Sequence, residues 1–327
     1  MLFLLGSGLS LIFGVMRIVN LSHGSYFLLG GYVALSVIWI TGSWYLAIPI
    51  AALTVAIVGL AMERLFLRSG GLEFVRNVVI ALGIAVLVSL AIGRWRNFAE
   101  VNWVQFVAVT AVAAVALYVL LSRISVTAIE ADPQRQVLLT VGFAFLFQQA
   151  ALDIWTGNNF DINPPPFLTQ SIQIGGLYLP LYRAFMIATA AVIGIGLWLV
   201  MEKTRMGAAV RATVDDAQMA RGVGVDTARI SMFIFALGAF LAALGGVIGG
   251  AFLGVYPGLD FEILPLAFAV VIIGGMGSLG GAAIGALLVG LADNFGKALF
   301  PEISYFTLYA PMALILAVKP TGLFGRE

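Results

Sequence analysis

The sequence predicts an all-α polytopic integral membrane protein, with about 9–11 transmembrane helices at roughly 20 apolar residues per crossing. Three observations predict it. Of 327 residues, 61% are hydrophobic and 10% charged, where soluble domains sit near about 45–50% and 25%. The mean hydropathy is +1.06, more apolar surface than a water-soluble globule can bury. Apolar windows of helical length also follow one another along the chain, whereas a barrel would show alternating strands of about 10 residues. The chain reads as a single transmembrane domain over 1–327.

Spans are expected near 1–16, 26–41, 45–62, 78–93, 104–121, 136–156, 183–201, 230–254, 262–275, 279–293 and 304–318. The first, "MLFLLGSGLSLIFGVM", is apolar at once and lacks the basic leader of a cleavable signal peptide. It reads as a short or truncated first helix. In "VVIIGGMGSLGGAAIGALLVG" the glycines interrupt the run, leaving two spans or a bent pair of half-helices open. Irregular backbone at that depth needs cover from protein or a wet cavity.

Basic residues favour the cytoplasmic side. With 202–229 placed there, alternation puts Arg17, Arg64, Arg68, Arg76, Arg123, Arg135, Lys203, Arg205, Arg211, Arg221, Arg229, Lys319 and Arg326 inside. Only Arg94, Arg96, Arg183 and Lys297 fall outside. The expected orientation is N-terminus outside and C-terminus inside. The longest outer loop, 156–182, carries no Lys or Arg. Its prolines favour extended backbone, and "SIQIGGLYLPL" could form a hairpin around Gly175–Gly176. A docking surface and a plain connector are equally open readings of this loop.

Enzyme chemistry finds little support. The chain has no Cys, which excludes disulfides and thiolate metal sites, and one histidine, His23. No catalytic cluster, resident cofactor or metal site is expected. Ser278 lies among glycines but not in a nucleophile elbow. Asp153 and Asp293 sit near span ends, and no acid stands out at mid-membrane as a coupled carrier would need. A net charge of +1 gives no reason to expect a nucleic-acid partner.

Glycine is abundant at 38 residues. Gly277, Gly281 and Gly285 are spaced to share a helix face, as are Gly245 with Gly249 and Gly246 with Gly250. That is the small-xxx-small spacing of close membrane-helix packing. Packing is the plain reading; glycines lining a solute path are the functional one.

The polar run "EKTRMGAAVRATVDDAQMARGVGVDTAR", 202–229, stands between two apolar runs. Its Asp215 and Asp216 can cap or begin a short helix, and Gly222 and Gly224 can end one. A connection this long, where about 2–8 residues would serve, suggests function.

"GLSLIFGVMRIVNLSHGSYFLLGGYVA", "TRMGAAVRATVDDAQMARGVGVDTARI", "FAVVIIGGMGSLGGAAIGALLVG" and "KPTGLFGR" together resemble the branched-chain amino acid permeases of ATP-binding-cassette importers. The opening "RIVNLSHG" is similar to the paired permease whose motif runs roughly N-F-A-H-G. The resemblance covers about four-fifths of the chain, 8–68 and 133–326. It implies the ABC importer permease fold and alternating access driven by separate ATPase subunits. It also implies that 202–229 holds a coupling helix docking on an ATPase, with Arg211, Asp215, Asp216, Gln218, Ala220, Arg221, Gly222 and Gly224 as its residues. The family core E-A-A-x-x-x-G falls on Gln218 to Gly224; Ala220 and Gly224 fit, while Gln218 and Met219 depart. Asn20, His23, Gly24, Gly274, Gly275, Gly277 and Ser278 are candidates for the path or gate. Gly245, Gly246, Gly249, Gly250, Gly281 and Gly285 are candidates for packing.

The resemblance further implies two ABC ATPase subunits carrying ATP and Mg, a second homologous permease, an extracytoplasmic substrate-binding protein, and the lipid of a bacterial cytoplasmic (inner) membrane. The stretch 70–130 departs from the family and reads as a two-span insertion. Permeases for urea or short-chain amides belong to the same wider family. An ATP-independent channel or secondary carrier, and a membrane enzyme, are the readings from other classes.

Overall fold

The computed structural model describes residues 1–67, 133–174 and 176–325. The expected spans near 78–93 and 104–121, and the insertion at 70–130, lie outside the described residues. The described residues form helices α1 (Leu2–Met16), α2 (His23–Thr41), α3 (Trp44–Met62), α4 (Pro133–Trp155), α5 (Leu181–Lys203), α6 (Arg205–Asp215), α7 (Ala217–Gly222), α8 (Thr227–Leu253), α9 (Leu259–Gly274), α10 (Leu279–Leu299) and α11 (Ser304–Val318). Six of them, α2, α3, α4, α5, α8 and α10, are long and apolar enough to cross a membrane. α1 and the Tyr309–Val318 part of α11 are shorter apolar helices.

Local chemistry sets many of the boundaries. Ser43, Thr204, Asp226 and Ser278 cap α3, α6, α8 and α10 by accepting a backbone N–H with their side chains. Gly42, at φ 66°, ends α2. The expected hairpin forms as β1 (Ser171–Ile174) and β2 (Leu177–Pro180), antiparallel with Ser171 opposite Pro180. The 156–182 loop is also tied down at Phe160, which exchanges two backbone hydrogen bonds with Val255 at 2.8 and 2.9 Å.

α8 is the axis of the bundle. In its apolar window 72% of residues are buried, against 11% for α5 and 17% for α4, so those two stand at the periphery. α1, α2 and α3 close on α8 through small residues. A Cβ added at Gly8 would lie 2.7 Å from the Gly238 carbonyl, and one at Gly59 would lie 2.6 Å from the Ala239 methyl. Gly246 abuts the Phe27 carbonyl, Gly30 abuts Ala243, and Gly249 faces the Phe27 ring. Gly250 faces Val255, and Gly245 meets Phe27 at ordinary contact distance. In lipid, where apolar surface gains little by leaving the acyl chains, close approach of this kind holds helices together. Side-chain ties fix the outer helices: Tyr182 donates to the Ile248 carbonyl at 2.6 Å, and the Trp155 indole N–H donates to Ser36 Oγ at 2.7 Å.

Candidate functional site

The polar run folds as two helices rather than one. α6 ends at Asp215, and Asp216 breaks the helix with extended backbone. Asp216 Oδ1 then accepts the backbone N–H of Gln218 at 2.8 Å and of Met219 at 2.9 Å, starting α7. The far end is a Schellman turn: Val225 N–H bonds the Ala220 carbonyl at 2.9 Å, and Gly224 N–H bonds that of Arg221 at 3.0 Å. Gly224 has the left-handed φ of 89° that this turn requires. Gly222 has open space around it and normal helical placement. Ala220 is buried, and it anchors α7. Gln218, Met219, Arg221 and Val223 face outward; Met219 is 71% and Val223 80% exposed. Arg211 bonds the Met201 carbonyl and sits 3.5 Å from Glu202, tying α6 back to the end of α5.

A second polar group gathers where α2 begins. Arg17, at φ 53°, ends α1. Asn20 Oδ1 accepts from both the backbone and the hydroxyl of Ser22, at 3.1 and 2.7 Å. Thr140 on α4 accepts the Leu21 N–H at 3.2 Å. His23 is fully buried, and its Nε2 lies 3.0 Å from the Leu5 carbonyl of α1. A carbonyl only accepts, so that nitrogen carries the proton. Gly24 has no room for a side chain against the Asp260 carbonyl. Tyr26 donates to Met62 Sδ at 2.9 Å. Ser25 donates to Asp260 Oδ2 at 2.9 Å, joining α2 to α9.

The third group is the glycine run, which forms a tight turn between α9 and α10. Gly277 is not on the face of α10 with Gly281 and Gly285, as its spacing suggested; it lies in the turn, with φ 78°. A Cβ there would be 3.2 Å from Gly14 Cα on α1. Gly275, at φ 99°, packs against Gly325 of the C-terminal tail. The tail also bonds α9, through Leu323 N to Ile273 O and Phe324 N to Gly274 O, both 3.0 Å. Ser278 caps α10 through the Gly281 N–H at 3.0 Å, and its carbonyl accepts from Ser10 at 3.5 Å. Gly274 abuts Gly281, and Gly285 abuts the Val270 carbonyl, so α9 and α10 pack backbone to backbone.

The sequence-selected path residues therefore meet α1 at different levels: His23 at Leu5 and Gly8, Gly277 and Ser278 at Ser10 and Gly14. Sequence reasoning missed Ser25, Glu63, Thr140 and Asp260, all at most 2% exposed. The acids it singled out do less. Asp153 accepts from Gln149 on the bundle's surface, and Asp293 pairs with Lys297 at 2.9 Å.

The family described as "Branched-chain amino acid transport system / permease component" matches residues 1–316. The chain belongs to that family. Among this permease's relatives is the high-affinity branched-chain amino acid transport system permease protein LivH of Escherichia coli K12, 27% identical over 99% of this chain and 91% of its own. BraD of Pseudomonas aeruginosa, with the same description, is 24% identical over 99% of this chain and 91% of its own. A probable branched-chain amino acid transport permease LivH of Methanocaldococcus jannaschii is 24% identical over 100% of this chain and 89% of its own. No solved structure matches the permease. It is a multi-pass membrane protein, with six described helices long and apolar enough to span.

Proposed function

We propose that this permease is the membrane-spanning subunit of an ATP-binding-cassette importer, and that it moves branched-chain or similar small amino acids across a bacterial inner membrane. The family match over 1–316 carries the reading, since the permease relatives named for this transport align along nearly the whole chain. On this reading the chain catalyses nothing itself. Two ATPase subunits bind ATP and Mg, a second homologous permease completes the path, and an extracytoplasmic binding protein delivers the cargo. α7 supports the assignment of the coupling helix: capped at both ends, anchored by Ala220, and presenting Gln218, Met219, Arg221 and Val223 outward. Gln218 stands where the family has a carboxylate, so docking there uses hydrogen bonding and apolar contact rather than a salt bridge.

The buried Asp260 and Glu63 weaken one ground for setting a secondary carrier aside, because an acid does sit inside the bundle. The experiment separating the two classes is reconstitution in liposomes with the ATPases, the second permease and the binding protein. Leucine uptake should require ATP inside the ATPase compartment and ignore an imposed proton gradient. Gly224→Arg should insert normally but lose cargo-stimulated ATP hydrolysis, because a non-glycine residue at positive φ breaks the Schellman turn. Unchanged stimulation in that variant would remove α7 from the coupling role.

A further inference from the structure

Asp260 has an unusual environment for a carboxylate. It is 2% exposed, in the first turn of α9. Ser25 occupies Oδ2, and Oδ1 makes no hydrogen bond among the described residues. Of the ion pairs Arg211–Glu202, Arg229–Asp226 and Lys297–Asp293, none reaches it. Two further buried polar atoms of α2 also lack partners among the described residues: Nδ1 of His23 and the hydroxyl of Tyr32. Leu264 is pressed on Gly24, and Leu259 and Ile263, next to the acid along α9, are buried.

Burying a carboxylate with no counter-charge is costly, and an ionisable group kept inside a membrane bundle marks a solute path or a proton relay. We propose that Asp260 receives the α-ammonium group of the cargo amino acid during translocation, with Ser25 holding the other carboxylate oxygen in place. This rests on the functional reading above and names the chemistry the path recognises: a primary ammonium on an apolar α-amino acid. The ammonium supplies the missing positive charge and the donor that Oδ1 lacks. Tyr32 OH is a candidate donor to the cargo carboxylate, and the apolar neighbours suit a branched side chain. In this structure α2 and α9 are closed together, as the lack of space at Gly24 shows. The cargo reaches Asp260 when the two helices part, the movement alternating access demands.

The test uses the full assembly of this chain, the second permease and the ATPases, without the binding protein. Thermal stability is measured with leucine, with leucinamide, which keeps the ammonium and loses the carboxylate, and with 4-methylpentanoate, which lacks the ammonium. Leucine and leucinamide should raise the melting temperature, and 4-methylpentanoate should not. Asp260→Asn keeps the size and the Ser25 hydrogen bond but removes the charge. It should abolish the shift and lower leucine uptake about tenfold or more with the binding protein restored, consistent with losing a charge-assisted hydrogen bond. Equal shifts with 4-methylpentanoate, or no leucine shift in a wild type that imports leucine, would overturn the site alone. So would an Asp260→Asn protein that loses stability but keeps the ligand shift, which would make Asp260 an α2–α9 tie only. If Asp260→Asn fails to assemble, the wild-type ligand series decides by itself. A wild type that imports no leucine would instead overturn the functional reading, and the cargo assigned to this site with it.

Discussion

A six-residue helix such as α7 does not hold itself together in water, because nucleation costs more than so few hydrogen bonds return. One side chain offsets much of that cost. Asp216 satisfies two N–H groups of the first turn that would otherwise be orphaned. Asp216→Ala should therefore destabilise α7 by about 1 kcal/mol, while Asp216→Asn, an equally good cap, should leave it near normal. Amide hydrogen exchange over 217–222 is the measurement, with about fivefold faster exchange expected for the alanine variant alone. If the two variants exchange alike, the cap does not hold the helix. The same residue was legible in the sequence, because an Asp before a helix-forming stretch and a Gly after it are local signals. Asp260 was not. Nothing local distinguishes an acid reaching interfacial water from one folded under Ser25 of a helix more than two hundred residues away.

At the scale of elements, α2 and α8 meet where neither could carry a larger side chain. Gly246 abuts the backbone of Phe27, and backbone cannot swing aside as a flexible side chain can. Gly246→Ala should separate the two helices and cost about 1–3 kcal/mol, the range for overpacking a filled interior. Gly222→Ala, where nothing lies within 4 Å, should be neutral or slightly stabilising in its helix. Thermal unfolding of the two variants in the same detergent compares them; equal melting temperatures would mean that the α2–α8 contact is not tight in solution. The small-xxx-small spacing in α8 made this contact readable in outline, though not its partner on α2. Helix existence was readable from hydropathy, and helix ends were not. α10 runs on to Leu299, past an apolar window that stops at 293, because Asp293 and Lys297 pair along its face and keep the polar turn helical. α2 starts earlier than its window, at His23, because the polar residues of its first turns find partners on α1 and α9. Gly277 matched a four-residue spacing by coincidence: spacing alone does not reveal that φ turns positive at Gly275 and Gly277 and ends one helix before the next begins.

For the whole molecule, the bundle brings several inner-side expectations to one end. The last turn of α1 meets the glycine turn at Gly14 and Gly277, the glycine turn meets the tail at Gly275 and Gly325, and Val214 of α6 would lie 4.0 Å from a Cβ at Gly277. The polar run, the α9–α10 turn and the C-terminal tail thus share one end of the bundle, as the distribution of basic residues requires if that end is cytoplasmic. The hairpin β1–β2 precedes α5 and α6 and α7 follow it, so a spanning α5 puts the hairpin and the two short helices on opposite sides. The chain has no Cys, so single reporters can be placed without removing any native thiol. Tyr178, 72% exposed in the hairpin, and Met219, 71% exposed on α7, are the positions. In intact cells stripped of any outer membrane, a membrane-impermeant maleimide should label Tyr178→Cys and spare Met219→Cys. In inverted vesicles stripped of the ATPase subunits the pattern should reverse. Labelling of both from one face would mean that α5 does not span, and the reverse pattern in cells would put α7 on the wrong side for the coupling role proposed above. Burial within the chain does not confound the comparison, because the two side chains are almost equally exposed.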